Sequence, residues 1–171
     1  HSASGPELTT QLRWPMSGAQ RRIFMLCQQG DAELSYHMTS LTELTGPLDL
    51  ALLSAAMQQL IQRHETLRTA LELEQQDGVA HFWQHIAPEA EFALQYHDWR
   101  DLACAGDDLS ELLQTALRSL LQPFDLAVAP LARVFLLQLG PDHHLLLADF
   151  HHAISDGYSM SVFVRELLQL Y

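Results

Sequence analysis

Seven consecutive residues, His151-His152-Ala153-Ile154-Ser155-Asp156-Gly157, gather two imidazoles, a hydroxyl and a carboxylate into one short segment. The apolar run His144 to Phe150 before it reads as a strand, and Ser159 to Leu170 after it as a helix. The segment is therefore a strand-exit loop, where site residues are commonly displayed. On the residues alone, three readings stay open. The first is a polar turn, with surface histidines and Asp156-Gly157 supplying the turn chemistry. The second is a metal site, with His152 and Asp156 four apart and His151, His143 or His144 assisting. Adjacent histidines on extended backbone face opposite sides, so only one of the pair could enter such a site; no cysteine lies nearby and there is no HExxH pattern. The third is an acid–base or positioning histidine whose loop is fixed by Asp156.

The elements that must position this loop follow from periodicity. Ser17 to Gln28 predicts a helix capped by Ser17, with Ile23, Phe24 and Cys27 on one stripe. Thr39 to Leu44 predicts a strand that stops at Gly46-Pro47. Asp49 is a good N-cap for a helix to about Glu65, whose core stripe is Leu53, Ala56, Met57, Leu60 and Ile61. Leu67 to Leu73 alternates, placing Leu67, Thr69, Leu71 and Leu73 on one face and Arg68, Ala70 and Glu72 on the other. Asp77-Gly78 is a hairpin signal, with Ala80 to Ile86 returning. Glu91 to Tyr96 predicts a short strand. Asp107 and Asp108 start a helix through Ser110 to Leu121, ended by Pro123. Leu131 to Leu139 and His144 to Phe150 predict an antiparallel pair, apolar at both parities and so covered on both faces. Val162, Phe163, Glu166, Leu167 and Leu170 share one side of the last helix. The pattern predicts an α+β (α/β layered) fold with a mixed, largely antiparallel sheet covered by helices.

Composition narrows the function. The 171 residues carry 9 basic and 21 acidic side chains, a net charge of −12, and every cation is arginine. Such a chain has no electrostatic footprint for duplex DNA or an anionic membrane, and no lysine for imine chemistry. Its apolar runs are far too short to span a membrane. Residues 1–13 read as a cloning scar or linker, and His1 to Pro6 lack the apolar core of a signal peptide. Cys27 and Cys104 are too few for a disulfide framework and fit a reducing, cytoplasmic setting. The 10 histidines keep metal binding in view.

Two further segments, Ser17-Gly18-Ala19-Gln20-Arg21-Arg22-Ile23-Phe24-Met25-Leu26 and Arg63-His64-Glu65-Thr66-Leu67-Arg68-Thr69, join His151 to Ser159 in order and spacing. Together they resemble the first three core motifs of the condensation domains of nonribosomal peptide synthetases. Gly46-Pro47-Leu48-Asp49, Pro123-Phe124-Asp125-Leu126 and Ala129-Pro130-Leu131 agree as well, and the resemblance runs from about Trp14 to Tyr171. Ile23, Phe24 and Tyr158 depart from the common residues without touching the chemistry. The aspartate pattern of heterocyclising relatives is not the one present.

The resemblance implies a chloramphenicol-acetyltransferase-like fold of two lobes, of which residues 14–171 would be the N-terminal lobe, with the C-terminal lobe absent. It implies amide formation between a carrier-bound donor thioester and an aminoacyl acceptor. His152 would be catalytic, and His151, Asp156, Gly157 and Arg68 would support the loop. Donor and acceptor carrier proteins would be the partners, their phosphopantetheine arms carrying substrate, with no cofactor bound directly and no metal, nucleic acid or membrane. The isolated chain is expected to be inactive. Within it we expect an Asp156–Arg68 ion pair, His151 turned into the lobe, a Gly157 N–H near developing charge, Ser159 capping the last helix, His64 in the core, and His143 and His144 structural or exposed. Two other readings are a coenzyme-A- or carrier-dependent acyltransferase of the same fold, and a non-catalytic docking lobe.

Overall fold

Two of the most apolar segments of the chain lie side by side at the centre of the fold. In the computed structural model, which describes residues 12–28, 33–104 and 109–171, β6 (Ala132–Gly140) and β7 (His143–His151) form an antiparallel hairpin across Pro141-Asp142. β2 (His37–Thr45) pairs antiparallel with the other edge of β7, and β5 (Gln95–Asp98) pairs parallel with β6. The order of this four-stranded sheet is β2-β7-β6-β5. A second, three-stranded antiparallel sheet has the order β1-β4-β3, from β1 (Leu12–Pro15), β3 (Thr69–Gln76) and β4 (Val79–Ile86). Asp77 and Gly78 close the β3–β4 hairpin with φ of 51° and 77°, the left-handed region that a tight hairpin turn needs.

Both faces of the central pair are covered, as the two apolar parities require. Val134, Leu136, Leu146, Ala148 and Phe150 share one buried cluster with α2 (Leu50–Arg63) and α5 (Gly157–Leu170). Phe135, Leu137, Leu139, Leu145 and Leu147 share a second with Leu112 of α4 (Leu109–Leu120). The inward stripe of α2 is the expected one: Leu53, Ala56, Met57, Leu60 and Ile61 are all buried, and the Asp49 carboxylate accepts from the Ala51 and Leu52 amides. α5 presents Met160, Phe163 and Leu167, with Phe163 edge-on to Phe150 at 4.8 Å between ring centroids. α1 (Gly18–Cys27) opens with the Ser17–Gln20 capping box.

Several boundaries differ from the sequence reading. Residues 65–68 form a 3₁₀ turn, so β3 starts at Thr69 and Arg68 is not a strand residue. The strand expected at Glu91 to Tyr96 lies at Gln95–Asp98, where it can pair with β6. β1 and the short helix α3 (Arg100–Cys104) were not anticipated, because elements of four and five residues carry too little periodicity. The acids expected to open α4, Asp107 and Asp108, lie outside the described residues.

Leu136 is fully buried between the sheet and the helices. Leu136→Ala should destabilise the fold by about 2–5 kcal/mol, read from the urea midpoint at an unchanged m-value.

Candidate active site

β7 is buried from His144 onward and ends at His151; α5 begins six residues later, at Gly157. The loop between them is clamped through its backbone. The His151 N–H donates to the Leu131 carbonyl at 2.9 Å, and the His152 N–H to the Tyr36 carbonyl at 2.8 Å. One neighbour precedes β6 and the other precedes β2, so both flanking strands hold the exit of β7. The His152 Nδ1–H donates to the Ser155 carbonyl at 2.8 Å. That bond fixes the ring and, in the neutral imidazole, leaves Nε2 as the unprotonated nitrogen. His152 is exposed in a cleft of about 480 Å³, whose other walls are Tyr36 and the Gly18, Ala19, Arg22, Ile23 and Leu26 side of α1.

His151 has the opposite environment, with 2% of its surface exposed. Burial, and then the neighbouring His37 and His152, push its pKa down to about 4. The Ala153 N–H donates to its Nδ1 at 3.2 Å. The neutral ring therefore carries its proton on Nε2, which faces Cys27 Sγ at 3.6 Å. An imidazole that already presents N–H to the sulfur cannot deprotonate the thiol, so this contact is not a cysteine–histidine nucleophile pair.

A second buried group stands behind the loop. The His37 Nδ1–H donates to both oxygens of Asp149, at 2.8 and 3.0 Å, with the two side chains 3% and 0% exposed. Phe124 stacks on His37 and carries the Arg133 guanidinium 4.0 Å from its ring centroid. Sequence reasoning passed over His37, Asp149 and Tyr36. The available signal was Asp149 itself, a carboxylate inside the apolar run Leu145 to Phe150, which demands a buried partner.

The expected Asp156–Arg68 ion pair is not formed. The 3₁₀ turn directs Arg68 to backbone carbonyls: it donates to Ile61 at 3.2 Å, Gln62 at 3.4 Å, Pro88 at 3.1 Å and also Ala87. It thus ties the C-terminal end of α2 to the segment after β4. Asp156 is instead the N-cap of α5, accepting from the Ser159 N–H at 2.8 Å and hydroxyl at 2.6 Å, and these bonds hold its carboxyl below the usual range. Ser159 therefore is the capped residue rather than the cap. His64 is half-buried rather than in the core, donating to Glu166 at 2.8 Å. His143 pairs with Glu43 at 2.7 Å and His144 is buried. A Cβ on Gly157 would meet no heavy atom within 4 Å, so nothing among the described residues requires glycine there. No three His, Cys, Asp or Glu side chains among the described residues converge as metal ligands would.

The profile of the condensation-domain family matches residues 10–171. The chain is 38% identical to gramicidin S synthase 2 of Brevibacillus brevis over 158 residues, 92% of the chain and 3% of that protein. It is 40% identical to tyrocidine synthase 3 of Brevibacillus parabrevis over 161 residues, 94% of the chain and 2% of that protein. The first condensation domain of the calcium-dependent antibiotic synthetase superposes with a TM-score of 0.76 at 25% identity, covering 91% of this chain and 36% of that one. A four-domain nonribosomal peptide synthetase bound to AMP and glycine superposes at 0.79 and 21% identity, covering 94% and 12%. The chain thus spans a few per cent of the length of these curated relatives.

The depressed pKa of His151 has a consequence for stability. Unfolding lets this ring take up a proton below its ordinary pKa of 6.5, so its contribution is complete above pH 6.5 and is lost as pH falls toward about 4. His151→Asn should flatten the decline of the urea midpoint between pH 6.5 and 4.5. Equal slopes in the two proteins would refute this.

Proposed function

The chain belongs to the condensation-domain family, and from that membership we propose that it is the N-terminal lobe of a domain that forms an amide between two carrier-bound substrates. The donor is an acyl or aminoacyl thioester on a phosphopantetheine arm; the acceptor is an aminoacyl group on another. The acceptor nitrogen attacks the thioester carbonyl, the C–N bond forms, the C–S bond breaks, and the pantetheine sulfur leaves as the thiol once the amine proton is transferred.

The observation that carries this reading is the Ser155 carbonyl on His152 Nδ1–H at 2.8 Å. It leaves Nε2 free to accept the amine proton or to orient the amine, the work asked of an acid–base imidazole near neutral pH. The exposure of His152 in a cleft and the desolvation of His151 support assigning the chemistry to the second histidine of the pair. Asp156, through its cap on α5, and His151, through its backbone bond to Leu131, hold the loop ends.

Donor and acceptor carrier domains are the partners in this reading, and a C-terminal lobe completes the substrate tunnel. The share of the solved condensation domains that this chain covers, 36–37% for two of them, supports that division. The 171 residues alone are then not expected to turn over substrate. No helix among the described residues is long and apolar enough to cross a membrane.

His152→Ala in the whole synthetase should lower condensation by about 10²–10⁴-fold with the urea midpoint within error of wild type. Unchanged product formation would remove the catalytic role.

A further inference from the structure

Asp149 lies two residues before His151 in the middle of the four-stranded sheet, its carboxylate wholly buried. A buried polar pair is poor evidence of stability, since well-packed apolar residues often serve as well. What distinguishes this one is where its partner sits. His37 is the first residue of β2 and lies opposite His151 in the strand register. The residue before it, Tyr36, ends a 3₁₀ turn, and its carbonyl holds the His152 N–H at 2.8 Å. One continuous path therefore runs from the carboxylate to the His37 ring, through the main chain at 36–37, to the amide of His152.

The ring is enclosed on its other sides. Phe124 stacks on His37 at 4.9 Å between centroids and 28° between planes, and His151 meets it edge-on at 6.5 Å. Arg133, seated over Phe124, is anchored by the carbonyls of Gln122 and Pro123. The His37 ring is thus packed on two sides and bonded at Nδ1 to both carboxylate oxygens, and the Tyr36 carbonyl is its neighbour in the chain.

We propose that Asp149 and His37 are positioning residues for the condensation step: their buried contact sets the start of β2, and through the Tyr36 carbonyl it sets the place and ring orientation of His152. The proposal rests on the role assigned to His152 above. Neither residue touches substrate; both act through the loop.

The test uses the whole synthetase, carrier-loaded donor and acceptor, and the variants Asp149→Asn, Asp149→Ala, His37→Gln and His152→Ala. Displacing a reacting group by about 1 Å can cost on the order of 100-fold, so Asp149→Ala should lower kcat by about that factor with KM for the loaded carriers unchanged. Asp149→Asn keeps an oxygen for the His37 Nδ1–H and should recover part of the loss. In histidine-¹⁵N spectra, the His152 Nδ1 signal should be that of a protonated nitrogen in wild type and move toward tautomeric averaging in Asp149→Ala. His37→Gln, which leaves the carboxylate an amide donor, should shift the same signal and carries both readouts if Asp149→Ala does not fold. Wild-type kcat, a loss confined to KM, or a fall in kcat with the His152 signal unmoved would each overturn the proposal. Retained condensation by His152→Ala would instead bring down the function assigned to His152, whatever the Asp149 variants show.

Discussion

A strand buried on both faces must pair every backbone group it carries, and β7 meets that requirement up to the residue where its polar loop begins. Water cannot take the place of a missing partner there, because β2 and β6 flank it and helices cover both faces. The amides of its last residue, His151, and of His152 just beyond it are bonded to the carbonyls of Leu131 and Tyr36, which lead into those two strands. The loop that carries the candidate chemistry thus begins from a point fixed on both sides. A reactive group held this way needs little reorganisation when substrate arrives.

The same strand geometry separates the two histidines. Adjacent side chains at a strand end face opposite ways. His151 packs against Cys27, His37 and Phe124 and is desolvated there, while His152 opens into the cleft along α1. Burial holds the His151 imidazole neutral, while His152 is exposed. Each tautomer is assigned by a backbone group, the Ala153 N–H for His151 and the Ser155 carbonyl for His152. The segment Ala153 to Ser155 therefore orders both rings, and Asp156 ties it to α5.

What could be read from the residues alone was what periodicity and motif spacing record. The α2 stripe, the β6–β7 pair apolar at both parities, the Asp77-Gly78 hairpin and the His152 loop all appear where expected. Arg68 failed for a specific reason: alternation from Leu67 to Leu73 implied extended backbone, whereas a 3₁₀ turn rotates the arginine toward the end of α2. Asp156 failed because a carboxylate three residues before a serine at a helix start caps locally before it seeks a distant cation. β1 was unreadable, since four residues ending in proline at a sheet edge show no alternation. The His37–Asp149 contact joins residues 112 apart, and no local pattern encodes such a partnership.

The placement of the arginines bears on how a partner approaches the cleft. With a net charge of −12, the chain as a whole repels other anions, so long-range steering cannot bring an acidic partner to it. Most of the cations are already engaged. Arg68 and Arg133 donate to backbone carbonyls, Arg13, Arg63 and Arg100 pair with acids, and Arg21 lies over Phe82. Arg22, by contrast, is exposed in the wall of the His152 cleft, which Ile23, Leu26 and Tyr36 also line. Attraction between charges at a surface is screened beyond about 8–10 Å at physiological salt. The positive charge of Arg22 on this face of α1 therefore acts only at short range, within the cleft that His152 opens into.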